Sequence, residues 1–198
     1  MGAAPETTGA TVSTGMVHGR FQLFHLEHLS YVLHALERCD QLVIGITNPD
    51  ASQFVAAEES DHRHLREANP FSYNERQLMI RESLVDEGVD LSRIAFVPFH
   101  VLDPEQWPYY IPKPGTVTHF MRFFSEWEER KAAELRAHGY EVVQIDAGRS
   151  KSITATQVRA LLAEDGDWRA FLPAGTVRVV ERLGGLPRGQ AAGCGTRS

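Results

Sequence analysis

Short apolar runs alternate along this chain with segments in which apolar residues recur every three or four positions. The runs predict strands at Met16–Gly19, Gln41–Ile46, Ile94–Phe99, Thr116–Met121 and Tyr140–Ile145. The periodic segments predict helices at His28–Arg38, Tyr73–Glu87, Glu126–His138, Thr156–Ala163 and Ala174–Leu183. Such alternation is typical of right-handed crossovers between parallel strands. We therefore expect an α/β fold with a doubly wound, five-stranded parallel sheet.

Both ends of the chain and one internal segment lack this pattern. Residues 1–13 and 185–198 carry too few apolar side chains to offset the entropy lost on ordering. The sequence therefore predicts a single domain over 14–184 between a disordered leader and a disordered tail. Residues 51–69 form a long, charged connection without periodicity. Connections of this length are usually functional or disordered, and the sequence leaves both alternatives open.

Composition limits the classes of partner. The 198 residues include 20 Lys and Arg against 26 Asp and Glu, a net charge of −6. That balance excludes a general binder of nucleic-acid backbones but permits one basic pocket. No apolar run approaches the ~18 residues of a membrane span. The cysteines, Cys39 and Cys194, offer no disulfide framework. We expect a cytoplasmic protein without nucleic-acid or membrane partners.

Residues suited to phosphate chemistry lie where the first predicted strand meets the first predicted helix. The segment reads Gly19-Arg20-Phe21-Gln22-Leu23-Phe24-His25-Leu26-Glu27-His28. Ligands bind open α/β sheets at the carboxyl ends of strands, and a helix N-terminus presents N–H groups to phosphate. His25 and His28, three residues apart, share one helix face and can donate to phosphate oxygens. The alternatives, a surface pair or a partial metal site, are disfavoured by the preceding Gly-Arg-Phe-Gln.

A second candidate segment lies near the other end of the chain. Lys151 precedes a predicted helix whose first turn contains Thr154 and Thr156, and Arg159 follows one turn later. Hydroxyls and free N–H groups at a helix start can hold phosphate oxygens. The planar guanidinium of Arg159 can donate to a phosphate from several N–H groups. Taken alone, the segment also fits an ordinary capped helix with a surface arginine.

Together the two segments resemble the nucleotidyltransferase superfamily that carries an H-x-G-H motif. Within it, the chain is most similar to nicotinamide-mononucleotide adenylyltransferases of the archaeal type and to related cytidylyltransferases. Further matches, in the same order along the chain, are Asn69-Pro70-Phe71, Glu75-Arg76, Ile153-Thr154-Ala155-Thr156 and Asp167-Trp168-Arg169. The similarity covers about residues 15–184. It implies a Rossmann-like fold.

The resemblance also implies a reaction and a set of roles. A phosphate or phosphonate oxygen attacks the α-phosphorus of a nucleoside triphosphate, and pyrophosphate leaves with Mg²⁺. Positioning and electrostatic stabilisation suffice, because such an acceptor is already ionised. No metal site of the protein's own is predicted. The catalytic residues implied are His25, His28 and Arg159, and the nucleotide-binding residues are Gly19, Arg20, Phe21, Gln22, Lys151, Thr154 and Thr156.

The sequence departs from the family pattern at positions that bear on which substrate is bound. Glu27 stands where the family has glycine, and Phe123–Lys131 replaces a small acceptor-loop pattern. Glu27, Asn48 and Trp127 are therefore the candidate substrate-binding residues, although Trp127 fits core packing equally well. We expect adenylyl transfer from ATP to a nicotinamide-mononucleotide-like acceptor. The alternatives are cytidylyl transfer from CTP to a small phosphonate or phosphate, and a catalytically weak nucleotide-binding regulator.

Two further features have open interpretations. His18 comes directly before the first motif, where it either lines the site or packs in the core. The segment 104–114 is rich in proline and aromatic residues. It fits simple packing, an acceptor pocket or a contact within a homo-oligomer.

Overall fold

The structure, a computed structural model, describes residues 11–49, 69–145, 154–164 and 166–186. Its strands are β1 (Val12–Gly19), β2 (Cys39–Thr47), β3 (Ile94–Phe99), β4 (Thr118–Met121) and β5 (Glu141–Gln144). Its helices are α1 (Leu26–Leu36), α2 (Tyr73–Asp86), α3 (Trp107–Tyr110), α4 (Glu126–Ala137), α5 (Ala155–Ala163) and α6 (Ala174–Arg182). Within the described ranges, no helix combines the length and apolar character needed to cross a membrane.

The five strands form one parallel sheet in the order β3-β2-β1-β4-β5. The predicted five-stranded parallel sheet is thus confirmed. The order of strands reverses between β1 and β4, because the chain first builds outward through β2 and β3 and then returns to the other side of β1. Open α/β sheets bind ligands at such a switch point, beyond the carboxyl ends of the strands.

Several elements differ from the sequence-based expectation. β1 begins at Val12, so two residues of the predicted leader belong to the sheet, where Val12 pairs with Cys39. α1 begins at Leu26 rather than His28. The short helix α3 lies in the proline- and aromatic-rich segment 104–114, where the sequence predicts no helix, since prolines usually interrupt helices. Pro108 is tolerated there because it occupies the first turn, where its missing N–H has no helical partner to lose.

The chain divides into two compact units, and it passes repeatedly between them. The sheet unit comprises Met1–Gly19, Ser30–Thr47 and Asp90–Ser150. The motif unit comprises Arg20–Leu29, Asn48–Val89 and Lys151–Ser198. Neither unit is continuous in sequence, and the single domain over 14–184 stays a prediction.

The core of the sheet unit surrounds large side chains from β1, β3 and α3. Met16, Phe99 and Trp107 are buried there with Leu135 of α4 and Tyr140, which precedes β5. Cys39 at the start of β2 is a buried free thiol, so it forms no disulfide. The unit thus combines all five strands with the helices that cover part of their surface.

Close packing of α2 against α6 organises the motif unit. A Cβ atom on Gly175 would lie 2.3 Å from the backbone nitrogen of Ser83, so only glycine allows this approach. The Ser83 hydroxyl lies 3.1 Å from that of Thr176, beside the same contact. At the exposed margin, Arg178 pairs with Asp86 at 2.8 Å. A capping box between Ser72 and Glu75 fixes the start of α2 at the predicted Tyr73.

Candidate active site

The two motif histidines lie together at the start of α1. The carbonyl oxygen of His25 accepts the N–H of Leu29 at 3.0 Å, so His25 occupies the N-cap position and His28 ends the first turn. Their imidazole rings stack, with centroids 3.7 Å apart and planes inclined by 25°. His25 is buried and His28 is half-buried. The structure therefore brings these two predicted catalytic residues into one place.

Backbone and aromatic contacts fix the orientation of His28. Its Nδ1 lies 3.1 Å from the carbonyl oxygen of Leu23 and 3.5 Å from the backbone nitrogen of His25. The Phe24 ring is nearly parallel to the imidazole at 5.9 Å, and the Phe21 ring meets it edge-on at 5.1 Å. When the Nδ1 atom of an imidazole is bound to backbone, Nε2 is the ring nitrogen that remains to interact with a substrate.

The residues between β1 and α1, numbers 20–25, form a loop that we call the motif loop. Gln22 joins this loop to the backbone of Phe71, just before α2. Its amide donates from Nε2 to the Phe71 carbonyl at 2.8 Å and accepts the Phe71 N–H at Oε1 at 3.0 Å. The side chain is buried, and both ends of its amide are used. The structure gives the Gln22 side chain a supporting role in the loop, and the binding of nucleotide by Gln22 stays a prediction.

We expect Gln22→Glu to lower the free energy of unfolding by about 3 kcal/mol, because a buried carboxylate cannot donate to the Phe71 carbonyl. Chemical denaturation measures the change. Gln157→Glu is the matched control, since the exposed Gln157 only accepts through Oε1 from Thr154 and a carboxylate accepts equally well. Equal stability of the two variants would contradict the assigned role of Gln22.

Arg159 connects the second motif to the first. Its Nη1 donates to the carbonyl oxygen of Gln22, and its Nη2 lies 3.1 Å from the hydroxyl of Thr156. Burial lowers the pKa of the Arg159 guanidinium from its ordinary value. Thr154 caps α5 through a capping box with Gln157. Arg159, Thr156 and the motif loop are therefore brought together within the motif unit.

Arg76 is a residue that the sequence analysis left out of the candidate site. Only 1 % of it is exposed. Its guanidinium donates to the carbonyl oxygens of Arg20 at 2.8 Å, Asn48 at 2.9 Å and Ser72 at 3.2 Å. Burial lowers the Arg76 pKa to about 10, so the group stays protonated at neutral pH. We call this set of three bonds the Arg76 clamp.

The Arg76 clamp binds backbone at or beside residues with an uncommon, left-handed conformation. Asn48 has φ 51° and Phe21, next to Arg20, also has φ 51°. Asparagine enters the left-handed region more readily than other non-glycine residues, whereas phenylalanine does so at a cost. Strained backbone of this kind persists where surrounding contacts over-determine it, often at ligand sites. Arg76 supplies such contacts to Asn48 and to the neighbour of Phe21.

Glu27 lies in the first turn of α1, between the two histidines in sequence. It is half-buried. A carboxylate at this position is stabilised by the positive end of the helix dipole. Glu27 thus contributes to the start of α1, and its contact with substrate stays a prediction.

The remaining predicted site residues lie on other elements or outside the described residues. Gly19 ends β1, one peptide bond before Arg20. Trp127 lies on α4 in the sheet unit, where the Lys131 ammonium stands 5.7 Å from its ring centroid. Lys151 and residues 50–68 lie outside the described residues. No three His, Cys, Asp or Glu side chains gather as a metal site within the part of the chain that the structure describes.

An open parallel sheet with reversed strand order, followed at β1 by a stacked histidine pair at a helix start, is the arrangement expected of the H-x-G-H nucleotidyltransferases. A family model for cytidylyltransferase-like proteins matches residues 16–161, and the chain belongs to that family. The predicted nucleotidyltransferase superfamily and enzyme class are thereby confirmed.

Two similar proteins carry the names of different activities. The chain is 35% identical over 171 residues to a phosphonoformate cytidylyltransferase of Streptomyces viridochromogenes, covering 86% of this chain and 92% of that protein. It is 30% identical over 178 residues to a nicotinamide-nucleotide adenylyltransferase of Saccharolobus solfataricus, covering 89% and 95%.

Solved structures confirm the Rossmann-like fold. A bifunctional NMN adenylyltransferase/ADP ribose pyrophosphatase from Francisella tularensis superposes with a TM-score of 0.63 at 18% identity. The match covers 88% of this chain and half of that longer one. A second structure of that bifunctional enzyme contains AMP and a manganese ion. A nicotinate-nucleotide adenylyltransferase-like protein from Vibrio parahaemolyticus superposes with a TM-score of 0.52 at 16% identity.

Proposed function

We propose that this enzyme transfers a cytidylyl group from CTP to a small phosphonate or phosphate and releases pyrophosphate. The stacked His25–His28 pair at the N-terminus of α1 carries the proposal of nucleotidyl transfer. The 35% identity to the phosphonoformate cytidylyltransferase supports the choice of CTP and of a small acceptor. Glu27 and the Phe123–Lys131 segment, which depart from the adenylyltransferase pattern, support it too.

The chemistry requires no base from the protein. An ionised oxygen of the acceptor forms a bond to the α-phosphorus, and the bond from that phosphorus to the bridging oxygen breaks. The electron pair leaves with pyrophosphate. His25 and His28 donate to the oxygens on which negative charge develops, which is the usual source of catalysis at such sites.

Other residues hold the nucleotide and the acceptor in line. Gly19, Arg20 and Phe21 border the nucleotide with their backbone. Thr154, Thr156 and Lys151 bind the triphosphate. Arg159 joins them through the donors that remain after its bonds to Gln22 and Thr156. Asn48, Glu27 and Trp127 are assigned to the substrate.

Mg²⁺ enters with the triphosphate as part of the substrate. It keeps several water ligands and typically needs only one or two carboxylates beside the phosphates. Glu27, in the first turn of α1, is a carboxylate that fits that mode of binding. When bound, the ion offsets charge on the departing pyrophosphate.

Adenylyl transfer from ATP to nicotinamide mononucleotide is the second candidate. The 30% identity to the Saccharolobus enzyme over nearly its whole length favours it. The third alternative, a regulator that binds nucleotide without turnover, predicts no product from any pair of substrates.

A pyrophosphate-release screen separates these functions. CTP and ATP are each tested with phosphonoformate, methylphosphonate, nicotinamide mononucleotide and nicotinate mononucleotide. We expect kcat/KM to be at least ~10-fold higher for CTP than for ATP with a phosphonate acceptor. Preference for ATP and a mononucleotide would select the second candidate. Nucleotide binding without pyrophosphate from any pair would overturn both enzyme proposals.

A further inference from the structure

Two phenylalanine rings of the motif loop contact the imidazole of His28. The Phe21 ring meets it edge-on at a centroid distance of 5.1 Å, and the Phe24 ring lies nearly parallel to it at 5.9 Å. The two phenyl rings also meet each other edge-on, with centroids 5.7 Å apart. Each of these three distances lies in the range of attractive aromatic pairs. We call Phe21 and Phe24 the phenyl pair.

The hydrogen bond of His28 does not fix the orientation of its ring completely. Nδ1 lies 3.1 Å from the carbonyl oxygen of Leu23, which fixes the position of that atom. The χ2 torsion of histidine is broad, so the ring can still tilt about this bond and displace Nε2. His25 stacks on the imidazole, but it is itself a proposed donor to phosphate and has the same need for support. Contacts with fixed neighbouring rings are therefore required to set the plane of the His28 ring.

The phenyl pair offers such fixed contacts. Phe24 exposes 0 % of its surface and Phe21 exposes 1 %, whereas His28 is half-buried. Fully buried side chains are close-packed in defined rotamers, so they form a rigid surface for a neighbour that reaches solvent. All three residues lie in the motif unit. The half-buried imidazole thus lies against two rings that close packing holds in place.

The backbone of Phe21 is held from both sides. Its φ of 51° is a left-handed conformation that phenylalanine adopts only at a cost, whereas glycine would adopt it freely. The carbonyl oxygen of Arg20, on one side, accepts from the buried Arg76. That of Gln22, on the other side, accepts from the buried Arg159. A strained residue that surrounding contacts hold in this way is typical of a functional site, and it indicates a use for the Phe21 ring.

We propose that Phe21 and Phe24 are positioning residues for nucleotidyl transfer, which hold the plane of the His28 imidazole so that Nε2 donates to the phosphate oxygens. The proposal rests on the proposed function, in which His28 stabilises charge on those oxygens. Both phenyl rings act through His28 and require no contact with the substrate. Arg76 and Arg159 also act on this histidine, because they fix the backbone beside Phe21 from α2 and from α5.

Phe21→Leu and Phe24→Leu test the phenyl pair, because each removes a ring and retains an apolar side chain. We expect kcat to fall ~10- to 100-fold in each variant, the cost of displacing a donor by a fraction of an ångström or more. The KM for nucleotide should change less than ~3-fold, since the phenyl rings do not bind it. Steady-state pyrophosphate release, measured below the unfolding transition, gives both values. Phe171→Leu, the same change on the short turn before α6 in the motif unit, is the matched control and should leave kcat unchanged.

A double-mutant cycle with His28→Ala separates positioning from packing. If the phenyl rings act through His28, Phe24→Leu should lower kcat ~10-fold or more in the unaltered enzyme and less than ~2-fold in His28→Ala. Equal losses in both backgrounds would overturn the proposal, because the ring would then act independently of His28. A lower melting temperature with unchanged kcat would overturn it as well, since the ring would then serve only packing.

NMR spectra of the ligand-free protein test the same arrangement without turnover. The ring protons of His28 are identified by their absence from the spectrum of His28→Ala. We expect one sharp set of these signals with nuclear Overhauser effects to both phenyl rings, and we expect the set to broaden or split in Phe24→Leu. Missing Overhauser effects in the unaltered protein would overturn the proposal even in an active enzyme, and this result does not depend on the folding of a leucine variant. The expected spectra in a protein that releases no pyrophosphate would support the orientation of His28 by the phenyl pair and exclude the proposed function.

Discussion

Replacement of His28 by alanine is expected to lower kcat ~100-fold or more, with the protein still folded, because one donor to developing phosphate charge is lost. The half-buried ring is held by Leu23 and stacked on His25, so its position is fixed before substrate arrives. Preorganised donors of this kind stabilise the transition state more than the ground state. The KM for nucleotide should therefore change much less than kcat. Steady-state pyrophosphate release measures both parameters.

His34→Ala provides the control for the His28 variant, because His34 lies on the same helix and pairs only at the surface with Glu37, at 3.6 Å. It should retain the rate of the unaltered enzyme. We expect His25→Ala/His28→Ala to lose less than the product of the single losses, since stacked side chains that act as a unit are not additive. A nearly normal rate for His28→Ala would refute the catalytic role.

Most of the sheet could be predicted from local patterns. Ile94–Phe99 matches β3 at both ends, because its continuous apolar run is bounded by polar residues that mark turns. The early start of β1 could not be predicted in the same way. Val12–Gly15 contains Ser and Thr, and its extended conformation depends on pairing with β2, a contact between distant parts of the chain.

In the candidate site too, features set by neighbouring residues could be predicted, whereas contacts between distant residues could not. The spacing of His25 and His28 predicts a shared helix face, and the structure stacks their rings. The supporting bonds join residues far apart in sequence, such as Gln22 with Phe71 and Arg159 with Gln22. No local pattern specifies such partners. Arg76 did leave a signal, because it lies at helical spacing from buried Met79, Ile80 and Ser83, where a charged residue needs buried partners.

Support for the motif loop comes from three side chains that each bind backbone. Gln22 binds the Phe71 peptide, Arg159 binds the Gln22 carbonyl, and Arg76 binds the Arg20 and Asn48 carbonyls. Backbone held by side chains keeps a fixed position without regular secondary structure. Sites that must hold a phosphate within a fraction of an ångström need this kind of support. Part of the predicted site thus serves to shape the loop.

The Arg76 clamp makes the strongest stability prediction. Arg76→Lys should lower the free energy of unfolding by about 3 kcal/mol or more, because an ammonium cannot reach three separated carbonyls as a guanidinium does. Carbonyl oxygens that lose the Arg76 donor are left buried without that hydrogen bond, which destabilises the folded state. Urea denaturation measures the loss. Arg81→Lys, at an exposed position of the same helix, is the matched control and should change stability by less than about 0.5 kcal/mol.

Activity of the Arg76 variant, measured below its unfolding transition, tests whether the clamp also positions the site. We expect kcat/KM to fall ~100-fold, the cost of misplacing reacting groups by about an ångström. Millimolar guanidinium added to Arg76→Ala should restore part of the rate, since a planar donor can re-enter the same buried space. A variant that is destabilised but reacts at the normal rate would show that Arg76 stabilises the fold without positioning the site. Loss of rate with rescue by guanidinium would establish that an arginine buried on α2 sets the geometry of Arg20 and Asn48.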